Sequence, residues 1–155
     1  MDRKLVDVNA LAVFLDESHV GHPYVRRALA PGFTGEFQVL ISAYHLMRTR
    51  WVLVNKWGVP TDEADGLLTK FAQIQSPFYV AADGAAVGRA ISIAKEVHHD
   101  VYDCFLGMMA AAAGATHLFT TDRGFSRVCD ALGLVYENPI PDSVLRRFGV
   151  TGRAD

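Results

Sequence analysis

Three aspartates stand at points where a parallel α/β fold brings chain segments together. Asp7 lies at the carboxyl end of an apolar run over residues 4–8, Asp122 directly follows a second run over residues 117–121, and Asp103 lies near the start of the preceding helix. Unpaired carboxylates at close range repel each other, so a bound cation is the simplest explanation for such a cluster. All-oxygen ligands suit Mg²⁺ or Mn²⁺ better than zinc. The three acids therefore predict a divalent metal site.

Each of these acids also has a purely structural explanation. Asp7 and Asp122 can be the residues that cap helices after strands, because strand-to-helix loops often end in Asp. Asp103 can complement the dipole of a helix in its first turn. What favours a site is that all three acids are expected at one edge of the same sheet.

The elements that must position these acids are short apolar runs that alternate with helical patterns. Strands are predicted over residues 4–8, 38–41, 78–81, 117–121 and 134–136, and helices over 9–17, 23–29, 42–56, 61–75, 83–97, 100–114, 124–132 and 142–148. The strands are apolar on both faces, which is typical of a parallel sheet covered by helices on each side. The sequence therefore predicts one α/β domain over residues 1–155, with three α/β/α layers and a central, mostly parallel, Rossmann-like sheet. In such sheets ligands bind beyond the carboxyl ends of the strands.

Composition excludes several other classes of protein. Half of the 155 residues are hydrophobic and 21% are charged, which excludes intrinsic disorder, and a net charge of −2 excludes a general polybasic nucleic-acid binder. Cys104 and Cys129 lack the spacing of a metal site or a disulfide framework, so we expect buried free thiols. The longest apolar stretch, residues 105–115, is too short to cross a membrane. A cytoplasmic protein without membrane contact is predicted.

Two segments of the sequence resemble a known family. VDVNALAVFL is similar to the opening of a PIN domain, and VYDCFLGMMAAAAGATHLFTTDRGF is similar to its second half. PIN domains of this size resemble the VapC toxins of toxin–antitoxin pairs. The resemblance implies a Mg²⁺-dependent endoribonuclease that acts on RNA, is commonly a homodimer and is held inactive by an antitoxin protein.

The resemblance also implies roles for single residues. Asp7, Asp103 and Asp122 match the catalytic acids that bind metal in the family, and Asn9 and Thr120 match its supporting polar positions.

Two family acids are missing from this chain. The family usually has a Glu about six residues after the Ser that closes the second strand, and Arg48 stands there, six residues after Ser42. Gly124 stands where many members have a further Asp. Three acids still suffice for one Mg²⁺, which commonly keeps several waters.

Two interpretations of the function differ in the role that they give to Arg48. In a ribonuclease, Arg48 contacts substrate phosphate together with His45, which shares its helical face, and with Arg123. In a degenerate PIN-fold module that binds RNA or protein without turnover, Arg48 instead neutralises the acids. A different Rossmann-like phosphohydrolase is a third interpretation, but Asp7 is not part of the Asp-x-Asp pair that such enzymes often use.

Two further patterns lead to expectations about local structure. Trp51, Leu53, Val54 and Trp57 give the helix after Ser42 more apolar surface than a small core is expected to cover, which predicts a symmetric homodimer through this helix. His99 and Asp103 are four residues apart and can share a helical face. A helix boundary with a cap is the favoured interpretation of that second segment.

Overall fold

A five-stranded parallel sheet forms the centre of the computed structural model, which describes residues 1–148. The strands run in the order β3-β2-β1-β4-β5, and all four neighbouring pairs are parallel. Their bounds are β1 Arg3–Val6, β2 Gln38–Ile41, β3 Phe78–Tyr79, β4 His117–Phe119 and β5 Val135–Glu137. The first strand in the sequence is therefore the middle strand of the sheet.

Helices connect the strands and cover both faces of the sheet. The α-helices are α1 Val8–Leu15, α2 His22–Phe33, α3 Ala43–Trp51, α4 Thr61–Ala72, α5 Gly84–Val97, α6 Val101–Ala112, α7 Phe125–Leu132 and α8 Asp142–Leu145. A π-helix, Val52–Lys56, continues α3, and a 3₁₀ turn, Arg146–Phe148, continues α8.

Alternation along the strands divides the interior into two cores. Val6 and Phe119 belong to a core that is packed by α1 to α4, whereas Leu5 and Leu118 belong to a second core that is packed by α5 to α7. Successive strand residues point to opposite faces, so a strand with both neighbours buried needs a helix layer on each side. The predicted three-layer α/β/α fold is confirmed.

Most differences from the predicted elements lie at their ends. The first strand stops at Val6 because Asp7 and Val8 already enter α1. The helix predicted over residues 42–56 is present, but its last five residues form the π-helix, which apolar spacing does not reveal. Asp142 is the first residue of α8 rather than its cap, since Pro141 occupies the cap position.

Three of the four apolar residues named on the predicted dimer helix belong to the core. The expectation that this helix carries more apolar surface than the core covers is therefore wrong. Leu53 is fully buried, and Val54 and Trp57 pack against the first core. The Trp57 ring also lies 4.8 Å from that of His19. Of the four residues named, only Trp51 is exposed, and Arg48 covers one of its faces.

A different set of residues forms an exposed apolar patch. Tyr44, Val87, Ile91, Val101 and Tyr102, from α3, α5 and the start of α6, are all more than one-third exposed and line a shallow depression of about 420 Å³. We call this set the α5 face. The homodimer itself stays a prediction.

The remaining expectations concern the thiols, the membrane and the domain. Cys104 and Cys129 are free and buried, and burial raises the pKa of each thiol to about 11, so both stay protonated. Among the helices of residues 1–148, none is both long and apolar enough to cross a membrane. The single domain over residues 1–155 extends past the described residues and stays a prediction.

Candidate active site at the carboxyl edge of the sheet

Two neighbouring strands place Asp7 beside Thr120. The Asp7 N–H donates to the Phe119 carbonyl at 2.9 Å, and the Thr120 N–H donates to the Glu137 carbonyl at 2.9 Å, so both residues continue the sheet pairing one step past their strands. Because β1 and β4 are adjacent, the two side chains meet. The Thr120 hydroxyl donates to Asp7 Oδ2 at 2.8 Å, and both side chains are buried.

The same hydroxyl also fixes the loop that carries Asp122. Thr120 Oγ1 accepts a hydrogen bond from the Asp122 N–H at 3.0 Å. Asp122 Oδ1 in turn accepts one from the Gly124 N–H at 2.8 Å, just before α7 begins. Thr120, predicted as a supporting residue, therefore links two of the three acids.

Asp103 reaches this edge from the first turn of α6. The side chain of Asp100 caps that helix by accepting from the N–H groups of Tyr102, at 2.8 Å, and Asp103, at 3.2 Å. His99 Nε2 lies 2.8 Å from Asp103 Oδ2, so the two share a hydrogen bond. The predicted cap is present, and so is the contact between His99 and Asp103.

Burial and like charges dominate the electrostatics of the cluster. Asp7 is 4% exposed, and its pKa is raised to about 7, first by burial, then by the charge of Asp103 and, less strongly, by that of Asp122. The hydrogen bond from the Thr120 hydroxyl and, less strongly, the nearby Asn9 backbone N–H lower the pKa without cancelling the rise. Asp103 and Asp122 are therefore both close enough to Asp7 to repel its charge.

Helix capping does not account for Asp7. It occupies the cap position of α1, but its side chain makes no capping hydrogen bond. Asp122 and Asp103 do have local roles, in the turn before α7 and in the first turn of α6. The local roles of Asp122 and Asp103 do not explain why the Asp7 carboxylate is buried with two like charges nearby.

A cavity of about 290 Å³ opens next to these acids. Asp7, Asn9 and Asp103 lie on its acidic side, and α3 with the π-helix forms its other wall. Its remaining polar lining residues are Tyr44, His45, Arg48, Lys56, Asp100 and Tyr102. Asp122 does not line the cavity and reaches the cluster through Thr120.

His45 is a buried, neutral residue rather than an exposed cation. The Ser42 N–H donates to its Nδ1 at 2.8 Å, which puts the ring proton on Nε2. Burial lowers the pKa of His45 to about 4. His45 can therefore donate a hydrogen bond near neutral pH, but it does not supply the positive charge that a phosphate contact would use.

The two arginines predicted to contact phosphate lie in different surroundings. Arg48 lines the cavity, and its guanidinium carbon lies 4.2 Å from the centre of the Trp51 ring. Within residues 1–148, Arg48 makes no ion pair with Asp7 or Asp122. Arg123 pairs with the exposed Asp142 at 2.8 Å, away from the cavity lining.

Four polar cavity residues were missed by the sequence-based site, namely Tyr44, Lys56, Asp100 and Tyr102. Tyr102 directly precedes Asp103, and this adjacency was a usable signal. Lys56 follows Arg48 by eight residues, a spacing that keeps both near one face of an α-helix, and this spacing was a usable signal as well.

The donor set fits a hydrated divalent cation. One oxygen of each acid already has a partner within the protein, namely Thr120, His99 or the Gly124 N–H. In the described part of the chain, no three His, Cys, Asp or Glu side chains are arranged to hold a metal directly. Mg²⁺ usually keeps several waters and needs one or two protein carboxylates, so a hydrated ion bound by fewer than three of these acids would suit the donors that remain.

Comparison with known proteins agrees with this architecture. The sequence matches the PIN domain family over residues 4–131, which include all three acids. The chain belongs to the PIN domain family. This membership replaces the interpretation as another Rossmann-like phosphohydrolase. The comparison with curated protein sequences gave no significant match.

Two solved PIN structures superpose on most of the chain. The VapBC2 complex of Rickettsia felis, bound to a DNA fragment from its promoter, has a TM-score of 0.65 and 15% identity, and the match covers 88% of this chain and 98% of that one. VapC20 of Mycobacterium tuberculosis, a toxin that cleaves the sarcin–ricin loop, has a TM-score of 0.63 and 18% identity, with 85% and 96% covered. At these identities the two structures establish the fold.

The pH dependence of stability tests the electrostatics of Asp7. An acid with a higher pKa in the folded chain binds more protons when folded, so its contribution to stability falls as pH rises from about 4 to about 7. We expect Asp7→Asn without metal to be about 2–4 kcal/mol more stable than the wild type at pH 8, and similar to it near pH 4. Urea unfolding across this pH range measures the difference. Asp130→Asn, at an exposed site, is the control, and parallel curves for the wild type and Asp7→Asn would contradict the assignment.

A second prediction concerns the missing acid at Gly124. A Cβ at this position would lie 2.8 Å from His99 Cε1 and 3.2 Å from Asp122 Oδ1. We expect Gly124→Ala to cost about 1–3 kcal/mol because the His99 ring must move. Removing that ring should relieve the clash, so thermal unfolding of Gly124→Ala in a His99→Ala background should show a smaller loss. Equal losses in both backgrounds would mean that His99 does not restrict residue 124.

Proposed function

We propose that this PIN domain is a metal-dependent endoribonuclease of the VapC type, which hydrolyses RNA phosphodiester bonds with Mg²⁺ or Mn²⁺. The observation that carries the proposal is Asp7, which is buried with its pKa raised by burial and by the charges of Asp103 and Asp122. A divalent cation offsets this repulsion, and the Asp7 side chain makes no capping hydrogen bond to α1 that would explain an acid there.

Each residue of the cluster has a part in this proposal. Asp7, Asp103 and Asp122 hold the cation, partly through water, and are the catalytic acids. When bound, the cation activates water for attack and stabilises negative charge that develops on the phosphate. Thr120 holds the Asp7 carboxylate and the Asp122 backbone in place, while the nearby Asn9 backbone lowers the pKa of Asp7.

The cationic candidates are not equivalent in this proposal. Arg48 lies at the cavity and is the first choice for a contact with substrate phosphate. Arg123 is a weaker choice because it is already paired with Asp142. His45 contributes a neutral hydrogen-bond donor.

A non-catalytic PIN module, in which Arg48 replaces the usual acid, is the alternative. That interpretation needs the guanidinium to neutralise the carboxylates. The contact of Arg48 with Trp51, and the absence of an Arg48 ion pair with Asp7 or Asp122 within residues 1–148, favour the nuclease.

Partners follow from the same family resemblance. One structural neighbour is a VapBC complex, so an antitoxin protein is a candidate partner for this chain. We place a homodimer contact on the α5 face, where large apolar side chains are exposed around the 420 Å³ depression. A cytoplasmic location stays a prediction from the sequence.

Metal-dependent cleavage is the direct test of the function. Wild-type protein should cleave single-stranded RNA with Mn²⁺ or Mg²⁺ and lose this activity in EDTA. Asp122→Asn should reduce the rate at least about 100-fold, because it removes one of three acids that hold the cation. Calorimetric titration with Mn²⁺ should show weaker binding in the same variant. Equal cleavage by Asp122→Asn and the wild type would identify the activity as a contaminant and favour the binding module.

Arg48→Glu separates the two interpretations within the same assay. The change restores the acid that the family usually has, so Mn²⁺ should bind more tightly in either case. If Arg48 contacts phosphate, RNA binding weakens and cleavage slows. If Arg48 instead neutralises the acids, cleavage rises, and that result would favour the non-catalytic interpretation of the wild type.

The dimer prediction concerns Ile91, near the middle of the α5 face. We expect light scattering to give twice the monomer mass for the wild type at tens of micromolar, and the monomer mass for Ile91→Arg, because a buried charge without a partner disrupts an apolar interface. Ile74→Arg, at an exposed apolar residue that follows α4, is the matched control and should stay dimeric. A monomeric wild type would contradict the assignment.

A further inference from the structure

The π-helix after α3 brings a second cation to the wall of the cavity. In a regular α-helix, a residue eight positions after Arg48 points about 80° away from it. The wider π turn absorbs one residue, and the offset falls to about 20°. The wide turn closes where the Trp57 N–H donates to the Val52 carbonyl at 3.0 Å. Arg48, Val52 and Lys56 accordingly all line the same cavity.

Trp51 connects the two cations. The Arg48 guanidinium carbon lies 4.2 Å from the centre of its ring, and Lys56 Nζ lies 5.6 Å from it. Cations within about 6 Å of an indole are attracted to the face of the ring. Trp51 is partly exposed, so its ring supports both side chains at the surface without burying their charges.

The charges across the cavity are opposite in sign. Asp7 and Asp103 line one side, and Arg48 and Lys56 line the wall made by α3 and the π-helix. The wall with Arg48 and Lys56 does not attract a neutral ligand and repels a cationic one. A polyanion that must approach carboxylates needs cations close to them, and a phosphodiester backbone is such a ligand.

We propose that Arg48 and Lys56, positioned by Trp51 and by the π-helix, form a binding site for the phosphodiester backbone of single-stranded RNA. The inference rests on the proposed ribonuclease function and adds Lys56 to its substrate contacts. Two phosphates adjoining the scissile bond suit two cations on one helical face. Arg48 can bind its phosphate through two N–H groups, whereas Lys56 acts as a point charge.

RNA binding without turnover tests this site. Fluorescence anisotropy with a labelled single-stranded RNA of mixed sequence, in EDTA, measures affinity as a function of salt concentration. Each phosphate contact to a single strand contributes about 0.7 to the slope of log K against log salt. We expect Lys56→Gln to lower the slope by about 0.7, and Lys56→Gln with Arg48→Gln to lower it by about 1.4.

Matched variants separate this site from a general effect of charge. Lys70→Gln removes one exposed lysine from α4 and should leave the slope unchanged. Trp51→Phe keeps an aromatic ring and should retain binding, whereas Trp51→Leu should weaken binding although it stays apolar. Thermal unfolding of each variant checks that it is folded. If Trp51 had only a structural role, variants with equal melting temperatures would bind RNA with equal affinity. A difference in affinity between Trp51→Phe and Trp51→Leu at equal melting temperature therefore indicates that the aromatic ring supports binding.

The outcomes for the site and for the enzyme are independent. If Lys56→Gln binds RNA with the wild-type slope, or if Lys70→Gln lowers it equally, the proposed site is wrong even when the wild type cleaves RNA with Mn²⁺. If the slope falls as expected but no variant or wild type cleaves RNA, the binding site stands and the ribonuclease proposal fails.

Discussion

Burial of the Asp7 carboxylate on the middle strand of the sheet is the constraint on which the site depends. Because β1 lies between β2 and β4, a side chain just past its end is surrounded by structure on both sides. Two further acids raise the energy of its charged form. The hydroxyl of Thr120 contacts both Asp7 and the backbone of Asp122. A buried charge under such repulsion is stabilised by a cation, so the geometry is suited to metal binding.

Loss of the usual fourth acid changes the charge of one wall of the cavity. Where the family resemblance implies a Glu, α3 presents Arg48, which contacts Trp51. The result is an acidic side and a cationic side rather than a ring of acids. In the proposed ribonuclease, this arrangement lowers the affinity for metal and raises the attraction for a polyanion, because each added positive charge repels a divalent ion and attracts a phosphate.

The second missing acid has a steric explanation. Gly124 lies against the ring of His99, and its backbone N–H holds Asp122. His99 in turn shares a hydrogen bond with Asp103. The His99 imidazole therefore lies between the loop after β4 and the first turn of α6. A side chain at residue 124 would clash with this ring. The absence of an acid here is a matter of packing as well as of charge.

The sequence by itself determined the fold class and predicted that Asp7, Asp103 and Asp122 lie near one another. Apolar runs that end in Asp7 and Asp122 require buried parallel strands, and chain order then brings their carboxyl ends to one edge. Tertiary structure decided what surrounds them. Periodicity does not report one wider turn, so it missed the π-helix that brings Lys56 closer in angle to Arg48 at the cavity. Nor does it report which apolar residues find a core, and Leu53 and Trp57 do so because α1 and the segment around His19 pack on them. Spacing along a helix is local, whereas burial depends on contacts between distant segments.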